Sequence, residues 1–273
     1  MLQGHTRGQG HGHGRGTVVA RRGGDRTVLT RVHATSPLRF LRPTFAGSRA
    51  ATVCLVTFGG GLVDGDAIDI DLRVEVGATL VVFTQATTKA FRGASAQRIR
   101  AEVHGTLVLL PDPVACFRGS RFRQRVDITL HGEGSAVTLD GFTSGRAAFG
   151  DRWAFDAVDL ATTLRDGADD RILVRDALRL DRADGPIEPR MDRFEAFATV
   201  LAVGPRVSSI ARSILAGSIV TREVVAAPSA LPCPCGASVR IAATSPAHAL
   251  DEARRRLRNL PDIDVVDPFT SRY

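Results

Sequence analysis

From residue 67 to 76 every second side chain is aliphatic: Ile68, Ile70, Leu72, Val74 and Val76 alternate with Asp69, Asp71, Arg73 and Glu75. Successive side chains of an extended chain point to opposite faces, so this stretch buries one face cleanly only as a β-strand; on a helix its apolar groups would be scattered all round. The pattern returns at Ile99, Ala101 and Val103, set between Arg98, Arg100, Glu102 and His104, and again at Val126, Ile128 and Leu130, set between Arg125, Asp127, Thr129 and His131. Residues 80–83 and 107–110 are short unbroken apolar runs, which suit strands covered on both faces. Glycines at 65, 77, 93, 105, 119, 132 and 141 punctuate the series at about the length of a strand plus a turn. The expectation is a mainly β protein: a large two-layered body, sandwich-like, barrel-like or solenoid-like. No exact sequence repeat selects among these.

The two ends differ. Residues 1–16 contain no apolar residue beyond Met1 and Leu2, and are read as a mobile Gly/His-rich tail, since they have little with which to offset the entropy of ordering. Residues 17–273 are read as a single domain, β-rich to about residue 185, with a few flanking α-helices in the C-terminal third. Spacings of three and four predict helices over 193–202 (Phe194, Phe197, Ala198, Leu201) and 207–217 (Ile210, Ile214, Leu215), separated by Gly204-Pro205. A third helix is marked by Ser245 as N-cap, Pro246 at its first position and the stripe Ala249, Leu250, Ala253, Leu257. Arg254, Arg255, Arg256 and Arg258 lie where cations favour the C-terminal end of a helix dipole.

Composition narrows the functional classes. The formal charge is +7, but Arg7, Arg15, Arg21 and Arg22 all precede the first acidic residue, Asp25, so the body is only mildly basic. Aromatic residues make up 5% of the chain, which leaves little material for stacking nucleic-acid bases. No nucleic-acid partner is expected. No apolar run approaches the roughly 18 residues that span a bilayer, and residues 1–24 lack the apolar stretch of a signal peptide, so no membrane partner and a cytoplasmic location are expected. Four cysteines in 273 residues imply no disulfide framework.

The search for catalytic chemistry finds no anchor: the chain lacks G-x-x-x-x-G-K-[ST], H-E-x-x-H and G-x-S-x-G. Cys233-Pro234-Cys235 supplies two thiols, and His5, His11 and His13 three imidazoles, as candidate ligands for a borderline metal, though neither group makes a four-ligand set. Lys89 is the sole lysine. The classes left open are a non-catalytic scaffold, a β-sheet enzyme with an unrecognised site, and a basic polyanion-binding protein.

Several segments in order carry a resemblance. These are Gly24-Asp-Arg-Thr27, Ser36-Pro37 through Arg42-Pro43, Gly59-Gly60-Gly61-Leu-Val-Asp64-Gly65-Asp66, Thr84-Gln-Ala-Thr-Thr-Lys89-Ala-Phe-Arg92, Leu110-Pro111-Asp-Pro113, and Gly145-Arg146-Ala-Ala-Phe-Gly150. Over about residues 24–180 the chain resembles the urease accessory proteins of the UreD type, called UreH in some bacteria. The resemblance implies a β-rich scaffold, not an enzyme, acting in nickel insertion with the urease apoprotein, the helical protein UreF and the GTPase UreG as partners, and with nickel as transient cargo. It also implies an internal polar passage, for which the matching positions are Asp66 and Asp140. Where the family tends to place a glutamate after the Leu-Val pair, this chain has Arg175 followed by Asp176. On a strand a shift of one residue reverses the face, so whether Asp176 replaces that carboxylate depends on the pairing register.

Overall fold

A computed structural model describes residues 12–232 and 236–271. The strands, in chain order, are β1 (His13–Gly23), β2 (Arg26–Ala34), β3 (Leu38–Leu41), β4 (Ala51–Thr57), β5 (Ala67–Val74), β6 (Thr79–Thr84), β7 (Lys89–Ala90), β8 (Gly93–Val103) and β9 (Thr106–Leu110). They continue with β10 (Val114–Cys116), β11 (Ser120–Leu130), β12 (Ser135–Thr143), β13 (Ala157–Asp166), β14 (Ile172–Asp181), β15 (Ala196–Val203), β16 (Ile219–Val220), β17 (Val224–Ala230) and β18 (Gly236–Ala243). The helices are α1 (Glu188–Met191), α2 (Ser208–Ile214) and α3 (Pro246–Arg256).

Two sheets form, one in the order β14-β13-β11-β8-β5-β1-β2 and the other β16-β17-β18-β15-β12-β9-β6-β4-β3. From β4 to β13 the long strands alternate between them, and neighbours within each sheet run parallel: β5, β8, β11 and β13 in the first, β4, β6, β9 and β12 in the second. The centre is therefore a coil of solenoid type, with antiparallel strands added at the sheet ends. The alternating sequences now have their reason. In β5, Ile68, Ile70, Leu72 and Val74 point between the sheets, while Asp71 and Arg73 point to solvent.

The unbroken runs of β6 and β9 are covered on both faces, as expected. Leu80, Val82, Leu107 and Leu109 pack between the sheets, and Val81, Val108 and Leu110 pack with the helices on the other side. Cutting a fully buried residue such as Leu107 back to alanine would cost roughly 2–5 kcal/mol. Ser245 caps α3, its hydroxyl accepting the His248 N–H, and Ala249, Ala253 and Leu257 enter the helix-side core.

Two expectations are corrected. The stretch 193–202 is not helical; most of it is β15, hydrogen-bonded between β12 and β18 and covered on both faces. With both faces buried the polar half of a period-two pattern disappears, and the remaining apolar residues mimic helical spacing. The tail reading also fails from His13 onward, because His13 to Ala20 pairs in parallel with β5 from Ala67 to Val74. Gly14 and Gly16 face inward and His13 and Arg15 outward. A Cβ on Gly14 would lie 2.7 Å from Ile68, and one on Gly16 would run into Phe40. The glycines are the inward half of a strand alternation, required by close approach. Residues 1–11, including His5 and His11, and the Cys233 and Cys235 positions lie outside the described residues.

Candidate functional site: a polar seam between the sheets

Parallel register lines up inward-facing residues of the first sheet in rows. Ile68, Gln97, Gln124, Leu160 and Leu178 form one; Ile70, Ile99, Val126, Thr162 and Asp176 form the next. On the facing sheet Asp140, Thr199 and Arg240 are aligned across β12, β15 and β18. Polar residues from both sheets thus meet along a seam that runs from buried Gln124 and Thr162 out to exposed Arg240.

Asp140 is the centre of this seam. Its Oδ1 accepts from Gln124 Nε2 at 2.8 Å and from the Gly141 N–H at 2.8 Å, and its Oδ2 accepts from the Thr162 hydroxyl at 3.4 Å. Burial pushes the carboxyl up to about 6; the Gly141, Gln124 and Thr162 hydrogen bonds oppose the rise, and the Asp176 charge adds to it. Gly141 is required here because a Cβ would collide with the Phe197 carbonyl of the adjacent strand. A cavity of about 30 Å³ lies beside Asp140 and Asp176, with Phe142, Leu178, Phe197 and Thr199 among its walls.

Asp176 lies opposite Thr162 in the β13–β14 ladder and faces inward, whereas Arg175 lies opposite Thr163 and faces solvent. The register therefore leaves a carboxylate, not a cation, in the seam. Arg240 Nη2 donates to Asp176 Oδ1 at 2.5 Å; the arginine side chain is 73% exposed and the aspartate 19%. Along the same inner face, Gln97 and Thr84 line a second cavity of about 160 Å³, walled by Leu38, Leu62 and Ile68.

Asp66 is not brought to this cluster. Its Oδ1 accepts the Gly12 N–H at 3.0 Å and its Oδ2 the Val63 N–H at 2.9 Å, so both oxygens fasten the chain around the turn at Gly65. It lines a separate groove of about 490 Å³ with Arg121, Arg123 and Arg179. The remaining motif residues build loops. Gly60 lies in the turn before Leu62 and on the wall of the 160 Å³ cavity. Lys89 is exposed on β7, and its carbonyl accepts the Leu62 N–H. Pro111 follows β9, where the next residue's N–H is tied to the Thr84 hydroxyl. Gly145 has φ of 97° and sits too close to the Cys116 carbonyl for a Cβ. Arg146 and Arg118 both bind Asp151, and these hydrogen bonds hold its carboxyl below the usual range.

His13 bonds Asp69 at 2.7 Å on the outer face of the first sheet, away from the seam. Among the described residues no three His, Cys, Asp or Glu side chains stand together as a metal cage. No helix among them is long and apolar enough to cross a membrane. None of the cavities named above is lined by histidine, so none pairs a hydroxyl or thiol nucleophile with an imidazole base. Burial raises the Cys116 thiol well above its ordinary range, which suits an inert core residue.

Sequence reasoning missed Gln97, Gln124, Thr162, Thr199 and Arg240. Gln124 carried a usable signal: it shares the parity of Phe122, Val126 and Ile128, and so is a polar residue in an inward position.

Comparison with known proteins gives the setting. The UreD urease accessory protein family matches residues 12–262. The chain is 42% identical to urease accessory protein UreD of Sorangium cellulosum, over 95% of this chain and 84% of that one. It is 36% identical to UreD of an Anaeromyxobacter, over 92% and 86%, and 32% identical to urease accessory protein D of Arabidopsis thaliana, over 73% and 71%. On matches of this identity and coverage, the chain belongs to the UreD family of urease accessory proteins, and urease maturation is its role.

Proposed function

We propose that this chain is a non-catalytic scaffold for nickel insertion into the urease apoprotein, working with a UreF-type helical protein and a UreG-type GTPase in the cytoplasm. In this reading nickel is cargo that moves along the seam. The observation that carries the reading is the pairing of the half-buried Asp140 with Asp176 across a small cavity, inside a member of a urease accessory family.

The chemistry suits transit. Carboxylate oxygens are hard ligands that hold a borderline cation less firmly than imidazole or thiolate, and two carboxylates fall short of a full coordination set. A cation arriving beside Asp140 would favour its ionised form by opposite charge. Asp66 contributes on this reading by fixing the turn, since both of its oxygens already accept backbone N–H groups.

The polyanion reading is weaker, because arginines on the outer face of the first sheet are matched by acids. Arg100 pairs with Asp71, Arg98 with Asp127, Arg125 with Asp159, and Arg121 and Arg179 with Asp181.

The test is reconstitution of urease from apoprotein, nickel, GTP and the three accessory proteins. The wild-type chain should support activation and co-purify with the partners; Asp140→Ala should co-purify equally but activate poorly. Full activation by Asp140→Ala would remove the seam from the mechanism, and activation without this chain would remove the scaffold role.

A further inference from the structure

Three segments that carry the family resemblance, far apart in sequence, converge on one side of the coil although the seam does not use them. Leu62 bridges to Ala90, and β7 pairs with β10 beside the end of β12. Gly61 lies so close to this strand that a Cβ there would sit 2.8 Å from the Phe91 ring. Phe91 meets Phe117 edge-on at 5.3 Å, and the Arg146 guanidinium lies 4.6 Å from the Phe117 ring and 5.6 Å from that of Phe149. The turn at 61–62, residues 89–92, residues 117–118 and the loop 146–150 thus adjoin in series as one ridge, with residues 58–60 leading into it.

The ridge exposes what a monomer ordinarily hides. Phe149 is 78% exposed, and Phe58 and Val63, both on the 58–63 turn, are 55% and 51% exposed. The segments of the ridge carry Lys89, Arg92, Arg118 and Arg146 against the carboxylates of Asp64 and Asp151, and Asp151 is already shared by two of those arginines. The combination of aromatic rings and arginine is the composition of a protein contact centre, and the surplus of positive charge around it calls for an acidic face on the partner. The Arg146–Asp151 clamp holds that arginine over the rings before any partner arrives, which lowers the ordering cost of binding.

We propose that this ridge is a docking surface for a folded protein of the maturation complex whose contact face is acidic around an apolar socket that receives Phe149. The proposal rests on the scaffold reading above.

The test uses the purified full chain and, as separate probes, purified urease apoprotein, UreF-type protein and UreG-type protein. At least one should bind the wild type. For that probe, the double variant Phe58→Ser with Phe149→Ser should weaken affinity about tenfold or more, in the range of lost interface anchors. Lys89→Glu should weaken it further at low salt than at 0.5 M salt. Unchanged thermal unfolding of the variants, whose substituted side chains are exposed, controls for folding. Variants that bind as tightly as wild type overturn the docking surface and leave the scaffold reading standing. A wild type that binds none of the probes overturns both. Phenylalanine-dependent binding to phosphatidylserine vesicles, with protein affinities unmoved, overturns it in favour of a lipid contact.

Discussion

Replacing Asp140 by asparagine isolates the cost of keeping a charge in the seam. Asp140 titrates near 6 in the folded protein, against 3.8 for the unperturbed group, so the folded form binds the proton more tightly than the unfolded chain does. The sign follows. Below about pH 4 the carboxyl is neutral in both states and costs nothing; stability is lost as pH rises from there through about 6, and the loss is constant above it. A difference of about two pH units is worth about 3 kcal/mol at neutral pH. That figure is a ceiling, because Asp140 is half-buried beside a cavity that admits some solvent screening, and a net effect of about 1–3 kcal/mol is expected. Asparagine keeps an oxygen to accept from Gln124 and the Gly141 N–H, and presents an amide to the Thr162 hydroxyl. Asp140→Asn should therefore be more stable than wild type at pH 7.5, with the gap closing towards pH 4. At roughly 2–4 °C per kcal/mol for a chain of this size, calorimetry at both pH values resolves the effect. A variant less stable than wild type at pH 7.5, or a gap that does not change with pH, would refute the desolvation argument.

The other expectations follow from single contacts. Arg240→Ala should cost at most about 1 kcal/mol, as an exposed ion pair, yet move the pH-dependent gap between wild-type and asparagine forms upward by unmasking the Asp176 charge; the same calorimetric series measured in the arginine variant checks it. Arg256→Met should cost about 1.5–3 kcal/mol in urea unfolding, because it removes one of the two arginine partners of buried Glu252, Arg255 remaining, and releases the Ile214 and Gly217 carbonyls. Gly16→Val should cost about 1–3 kcal/mol by forcing side-chain atoms into Phe40 and Leu38, whereas Arg15→Val on the outward face should change stability little; equal effects would return this stretch to the status of a tail.

The β body was legible because β5, β8 and β11 each bury one face, and a half-buried strand writes its period into the sequence. The same logic explains the misreadings. β15 buries both faces, so Phe197, Ala198 and Leu201 lost their alternating polar partners and passed for a helical stripe. β1 fills its inward positions with glycine, so the alternation at 12–16 was present but carried no hydrophobicity to reveal it. The carboxylates of the seam were nameable by resemblance, yet the partners that set their chemistry were not. Gln124 reaches Asp140 across 16 residues and Arg240 reaches Asp176 across 64, and such pairings depend on the coil's register.

That register also decides what kind of cation site the seam can be. Asp140 has its charge opposed by burial and by Asp176, while Asp176 has its charge covered by an arginine that is mostly in water. A storage site would do the reverse: it would gather three or four ionised ligands and leave them uncovered for the metal. In the proposed transit a divalent cation would gain by relieving Asp140 but would have to displace Arg240 to use Asp176 fully, and on its departure the guanidinium would return at little cost because its side chain stays solvated. A competing positive charge supplied by the chain itself would thus balance entry against exit, which is the energetic condition that the proposed role of handing an ion on requires.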